Sequence, residues 1–274
     1  MNLNIYTEEM AKSIWDKAFF MDKIIGAKLV IDFGCADGAM IRMLSELFPN
    51  ITFYGYDHND DLIEMAWSKV TSENYKNVYF FHENRSPWEG ATDGFEDMLK
   101  IAKEYYKPEE ICINFSSVLH EIFSSTGGKD KIVHMIDELH PKYITIRDMY
   151  YHHEILDEED EYLSELQKIH IISLCSALAP GCYNKYINKF GYIKKMKDLV
   201  HFLMKYQWRD NDYEQELKEN YFAWRIRDVK KLVGNYNTIF EAHYMLPYYV
   251  EQWKIYGIGP DVHTHAQFIL RRND

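Results

Sequence analysis

Lys28-Leu29-Val30-Ile31-Asp32-Phe33-Gly34-Cys35-Ala36-Asp37-Gly38 is an apolar run that ends in an acid and breaks at once into a loop of small residues. This is the pattern of a parallel strand buried on both faces, followed by a turn into a helix. Gly34, Ala36 and Gly38 allow a ligand to come close to the backbone. The helix predicted over 39–48 supplies free amide donors at its start. Dinucleotide sites use a related turn, but their GxGxxG spacing is absent here, because the glycines stand at 34 and 38 only.

Downstream the same rhythm repeats. Strands are predicted at 52–57, 78–81, 111–115 and 143–146, and helices at 60–70, 94–105 and 130–139. Five strands alternating with helices imply a doubly wound, mostly parallel sheet with right-handed crossovers and a ligand site at the carboxyl ends of the strands. Asp57 closes the second strand, where a carboxylate can accept two hydrogen bonds from a ribose diol. Upstream, residues 7–25 predict a helix capped by Thr7, with Met10, Ile14, Ala18 and Met21 at helical spacing. It is either a packing helix or a lid. Beyond Asp148, residues 151–235 contain no good strand and predict helices over 158–178, 194–206, 213–224 and 226–233, with a break at Ala179-Pro180-Gly181. Two β-like runs, 238–245 and 264–270, end the chain.

The 274 residues, 47% hydrophobic and 27% charged, are enough for a sizeable core and carry no signature of disorder. A formal charge of −12 excludes bulk neutralisation of duplex DNA phosphates as the main task. Cys35, Cys112, Cys175 and Cys182 form neither a disulfide framework nor a CxxC pair for zinc. The first nine residues lack the basic start and apolar run of a signal peptide, and no apolar segment is long enough to span a bilayer. A cytoplasmic protein with no membrane partner is expected.

The run Val30-Ile31-Asp32-Phe33-Gly34-Cys35-Ala36-Asp37-Gly38 resembles motif I of class I S-adenosylmethionine-dependent methyltransferases. The resemblance implies S-adenosylmethionine as cofactor, with Asp32, Gly34, Cys35, Ala36, Asp37 and Gly38 forming its loop. It gives Asp57 to the ribose hydroxyls, His58 and Leu62 to the adenine, and Asn84 to the adenine amino group in a position where the family commonly has an acid. Asn114-Phe115-Ser116-Ser117-Val118-Leu119-His120-Glu121 is similar to the fourth-strand motif, which adds Asn114 and Ser116 to the cofactor set. Residues 264–270 are similar to the family's antiparallel seventh strand, inserted beside the fifth. The likeness covers 29–147 and roughly the last forty residues. The implied organisation is an N-terminal helix or lid over 1–27, a cofactor-binding α/β core over 28–150, a helical insertion over 151–235 between strands five and six that forms a substrate site or lid, and C-terminal strands over 236–274 that complete a seven-stranded sheet.

Methyl transfer is an in-line displacement that mainly requires alignment of the nucleophile, sometimes with removal of its proton. His120 and Asp148, at the expected ends of the fourth and fifth strands, are the catalytic candidates; His120 could take a proton near neutral pH and Asp148 could orient substrate or pair with Arg147. His152-His153-Glu154 with Asp157, Glu158 and Glu159 matches no known metal spacing, and no metal is expected. No Asn-Pro-Pro-Tyr-like tetrad or Pro-Cys dipeptide follows the fourth strand, which disfavours DNA amino- and cytosine-carbon methylation. Lys185, Lys189, Lys194, Lys195 and Lys197 lie among Tyr183, Tyr186, Phe190 and Tyr192, so the insertion could grip RNA as well as a small molecule. Two readings stand: an enzyme that methylates an oxygen or nitrogen atom of a small-molecule or RNA acceptor, or a non-catalytic module that binds S-adenosylmethionine or its demethylated product.

Overall fold

A computed structural model describes residues 13–73, 75–83, 93–125, 128–151, 159–178, 180–210 and 213–273. One seven-stranded sheet is formed by β1 (Leu29–Phe33), β2 (Thr52–Tyr56), β3 (Val78–Phe81), β4 (Ile111–Ser116), β5 (Tyr143–Met149), β6 (Tyr236–Tyr244) and β7 (His265–Arg272), in the order β3-β2-β1-β4-β5-β7-β6. β1 is buried at every position and pairs in parallel with both β2 and β4, as a continuous apolar run requires. β7 runs antiparallel to both β5 and β6. This is the mixed, mostly parallel sheet that the sequence implies, with helices inserted between the fifth and sixth strands.

The helices are α1 (Ile14–Lys17), α2 (Ala39–Leu47), α3 (Asp60–Glu73), α4 (Gly94–Tyr105), α5 (Leu119–Ser124), α6 (Gly128–Leu139), α7 (Glu165–Leu178), α8 (Pro180–Phe190), α9 (Met196–Tyr206), α10 (Tyr213–Glu216), α11 (Ile226–Val233) and α12 (Pro247–Trp253). Two apolar clusters cover the two faces of the sheet. A third lies in the insertion, where Leu199, Phe202 and Leu203 of α9 pack with Tyr249 and Trp253 of α12. No helix among the described residues is long and apolar enough to cross a membrane.

The local departures have tertiary causes. The helix predicted over 7–25 reduces, within the described residues, to the single turn α1. The Gln267 side chain donates to the Asp16 carbonyl, which a continuing helix would use internally. Arg147, Tyr244 and Gln267 also hold the Asp16 carboxylate, so the segment is shaped by its contacts with β5, β6 and β7. The helix predicted over 213–224 stops at Glu216; Asn220 accepts from the Phe222 amide and gives its own amide to Ser124, which turns the chain. α8 and α12 were not expected, since each begins at a proline that reads as a breaker. Proline is tolerated in the first helical turn, where no donor is missed.

Candidate functional site

The register of the sheet brings the singled-out acids together. Asp32 lies opposite Asn114 in the ladder between β1 and β4, and Asn114 lies opposite Thr145 in the ladder between β4 and β5. Thr145 Oγ1 donates to Asn114 Oδ1 at 2.7 Å, and Asn114 Nδ2 donates to Asp32 Oδ1 at 2.7 Å. This relay fixes the Asn114 amide and aims one oxygen of a buried carboxylate. Beyond it, the loop turns back under Tyr56, whose carbonyl accepts from Gly34 and Cys35.

Asp57 is the hub of the loop. Its Oδ2 accepts from the Ala36 amide at 2.9 Å and its Oδ1 from the Asn59 amide at 2.9 Å. Ala36 has a φ of 50°, a conformation costly for a residue with a side chain, and the hydrogen bond from its amide to Asp57 supports it. Gly34 and Gly38 are needed for packing. A Cβ at Gly34 would come within 2.7 Å of Val118 Cγ2, and one at Gly38 would overlap the Phe80 ring. Cys35 is buried beneath the loop.

Of the other expected cofactor residues, Leu62 is buried and His58 is mostly exposed, with its ring 3.6 Å from Asp57. Asp37 is engaged by Lys69 Nζ at 2.5 Å, and Arg42 binds its carbonyl, so its side chain ties the loop to α2 and α3. Ser116 is buried at the end of β4, and its hydroxyl has no hydrogen-bond partner among the described residues. Asn84 lies outside the described residues, as do His152, His153, Glu154, Asp157 and Glu158.

His120, just beyond β4, meets Asp148 of β5. Asp148 Oδ1 is 2.8 Å from His120 Nδ1, and its Oδ2 accepts from the His120 amide at 3.0 Å. Both residues are buried. Burial opposes protonation of His120, but the charge and hydrogen bond of Asp148, then Glu219 and Glu121, lift its pKa to about 10. The sequence reading has this imidazole taking a proton near neutral pH; in these surroundings it already holds one.

Three residues enter to which the sequence reading gave no role. Lys17, the last residue of α1, lies within electrostatic range of Arg147, Asp32, Asp148 and Asp16, and burial lowers its pKa to about 8. Its signal was a cation on the apolar stripe that includes Ile14, Ala18 and Met21. Glu121 Oε1 and Glu219 Oε2 stand 3.9 Å and 3.5 Å from His120 Nε2. Burial pushes the Glu121 carboxyl up; His120 opposes this, while Glu219 and Asp57 add to it. Glu121 adjoins His120 in sequence, whereas nothing local marks Glu219.

Residues 26–107 match a family described as "Putative methyltransferase". No curated protein matches the sequence. Among solved structures, the chain is similar to the plantazolicin methyltransferase BamL in complex with a triazolic desmethylPZN analog and SAH, at 12% identity and TM-score 0.47 over 99% of this chain and 90% of that one. It is similar to PKMT2 from Rickettsia typhi in complex with AdoHcy at 12% identity and TM-score 0.47, over 90% of this chain and 49% of that one. A SAM dependent methyltransferase from Aquifex aeolicus aligns at 18% identity and TM-score 0.34, over 57% of this chain and 76% of that one.

Proposed function

We propose that this chain, a class I methyltransferase by its sheet order and by the family match over residues 26–107, moves the methyl group of S-adenosylmethionine to an oxygen or nitrogen atom of a small-molecule acceptor in the cytoplasm. The observation that carries the reading is Asp57, whose two oxygens each accept one loop amide and keep a further lone pair for a ribose hydroxyl. The buried Ser116 hydroxyl, without a partner among the described residues, and the aimed Asp32 carboxylate offer further polar contacts at the same strand ends. The cofactor supplies a methyl group already activated by its sulfonium. The chain's residues hold and align the reactants.

On the acceptor side, Asp148, Glu121 and Glu219 surround the one imidazole of His120. Even with that imidazole protonated, the cluster offers no net positive charge to hold a phosphate backbone, which with the net charge of −12 favours a small molecule over RNA. The test is to incubate the chain with S-adenosylmethionine labelled in its methyl group, with RNA and with a small-metabolite extract in separate reactions. Label should enter the low-mass fraction. Label in RNA contradicts the acceptor class, and bound cofactor with no transfer to either supports the non-catalytic module.

The charges of Asp32 and Lys17 also predict a pH profile. Burial pushes Asp32 up to about 6; the Asn114 hydrogen bond and Lys17 oppose this, and Asp57 adds to it. A ligand ammonium favours ionised Asp32, and a ligand carboxylate favours protonated Lys17. Binding of S-adenosylhomocysteine should therefore strengthen as pH rises through 6 and weaken beyond 8, with affinity about tenfold lower at pH 5 than at pH 7. Calorimetry across this range checks it. Asp32→Asn should abolish the acid limb, and a limb of unchanged size in that variant contradicts the assignment.

A further inference from the structure

His120, Glu121 and Glu219 bring one imidazole and two carboxylates together where the end of β4 meets the insertion, with their donor atoms all within 4.8 Å of one another. His120 is held from behind. Asp148 engages both its Nδ1 and its backbone amide, and Tyr221 packs edge-on against the ring at 5.4 Å. The ring is therefore fixed with Nε2 facing the two glutamates. A carboxylate that grips one imidazole nitrogen while the other faces further carboxylates is the usual outer support of a metal-ligating histidine. Among the described residues, neither Glu121 nor Glu219 is paired with a lysine or arginine. Three acids, counting Asp148, thus share one protonated imidazole, with Lys205 within electrostatic range of Glu219, and a divalent cation in place of the imidazole's proton would keep the acids balanced.

We propose that His120 Nε2, Glu121 and Glu219 bind a divalent first-row cation of the zinc or manganese type, which takes the place of the protons on His120 Nε2 and the Glu121 carboxyl and releases them to solvent. The mixed nitrogen and oxygen donors suit these ions better than magnesium. Ligands about 2.0–2.2 Å from such an ion stand roughly 3.3 Å apart, close to the 3.5 Å between Nε2 and Glu219. Rotation of the glutamate ends closes the remainder. No metal is legible in the sequence, because Glu219 lies in the insertion, outside any local spacing. Three protein donors leave open positions on the ion. On the methyltransferase reading, these would hold an acceptor hydroxyl and ease loss of its proton; this role rests on that reading, whereas ion binding does not.

The test is calorimetry on the full chain after chelator treatment, with Zn²⁺, Mn²⁺ and Mg²⁺ as separate titrants. One Zn²⁺ or Mn²⁺ per chain should bind at micromolar Kd, with Mg²⁺ at least about tenfold weaker. Glu121→Gln and Glu219→Gln, with folding checked by circular dichroism, should each weaken Zn²⁺ at least about tenfold. Should a variant not fold, Co²⁺ added to the native chain tests the same donor set: d–d bands without a thiolate charge-transfer band are expected. Absence of saturable binding, unchanged affinity in folded variants, or a thiolate band would overturn the site. If Zn²⁺ binds and S-adenosylhomocysteine does not, the methyltransferase reading fails while the site stands.

Discussion

Replacing Asp57 with alanine is expected to weaken S-adenosylhomocysteine binding by about 100-fold, or about 2.8 kcal/mol. Two losses combine. The ribose hydroxyls lose a charged acceptor, and the Ala36 and Asn59 amides lose the oxygens 2.9 Å away that hold the loop in its binding conformation. Ala36, with its φ of 50°, would relax once unsupported, so ligand binding would have to reorder the loop. Asp57→Asn should fall between wild type and alanine, since its carbonyl can serve one amide but its NH₂ group cannot serve the other. Calorimetry on variants with native circular-dichroism spectra checks both. A loss below about threefold in Asp57→Ala would remove Asp57 from the ribose role.

The second large effect is on stability. Gly38 precedes α2 with a φ of 72°, and any Cβ there would overlap the Phe80 ring, which is itself fully buried on β3. Gly38→Ala combines a left-handed backbone, at about 1–2 kcal/mol, with overpacking of a rigid aromatic ring, at about 1–3 kcal/mol. The melting temperature should fall by about 5–12 °C. Gly181 serves as the comparison, because a Cβ there meets nothing within 4 Å. A fall below about 2 °C for Gly38→Ala would show that Phe80 can move aside, and that the loop does not need a glycine at this position.

The sheet was legible because its strands announce themselves locally. An apolar run such as Leu29 to Phe33, ending in an acid and followed by small residues, needs no tertiary context to be read. The same locality made Asp32, Asp57 and Asn114 visible, and the sheet register then brings Asn114 within 2.7 Å of Asp32. His120 and Asp148, picked from separate strand ends, meet at 2.8 Å for the same reason. What escaped the sequence depends on contacts between distant segments. The turn at Asp16 is imposed by Gln267 and Arg147, and Glu219 reaches His120 only because the chain turns at Asn220. Asp37 shows the converse: its place in the motif was plain, while its engagement by Lys69, from a different helix, was not.

The loop from Gly34 to Gly38 and its partner Asp57 are central, as the groups proposed to hold S-adenosylmethionine. Calorimetry of the full chain with S-adenosylmethionine, S-adenosylhomocysteine and NAD tests this most directly. Both sulfur compounds should bind one per chain at micromolar Kd, with no heat from NAD. Micromolar binding of NAD together with silence from both sulfur compounds would contradict it.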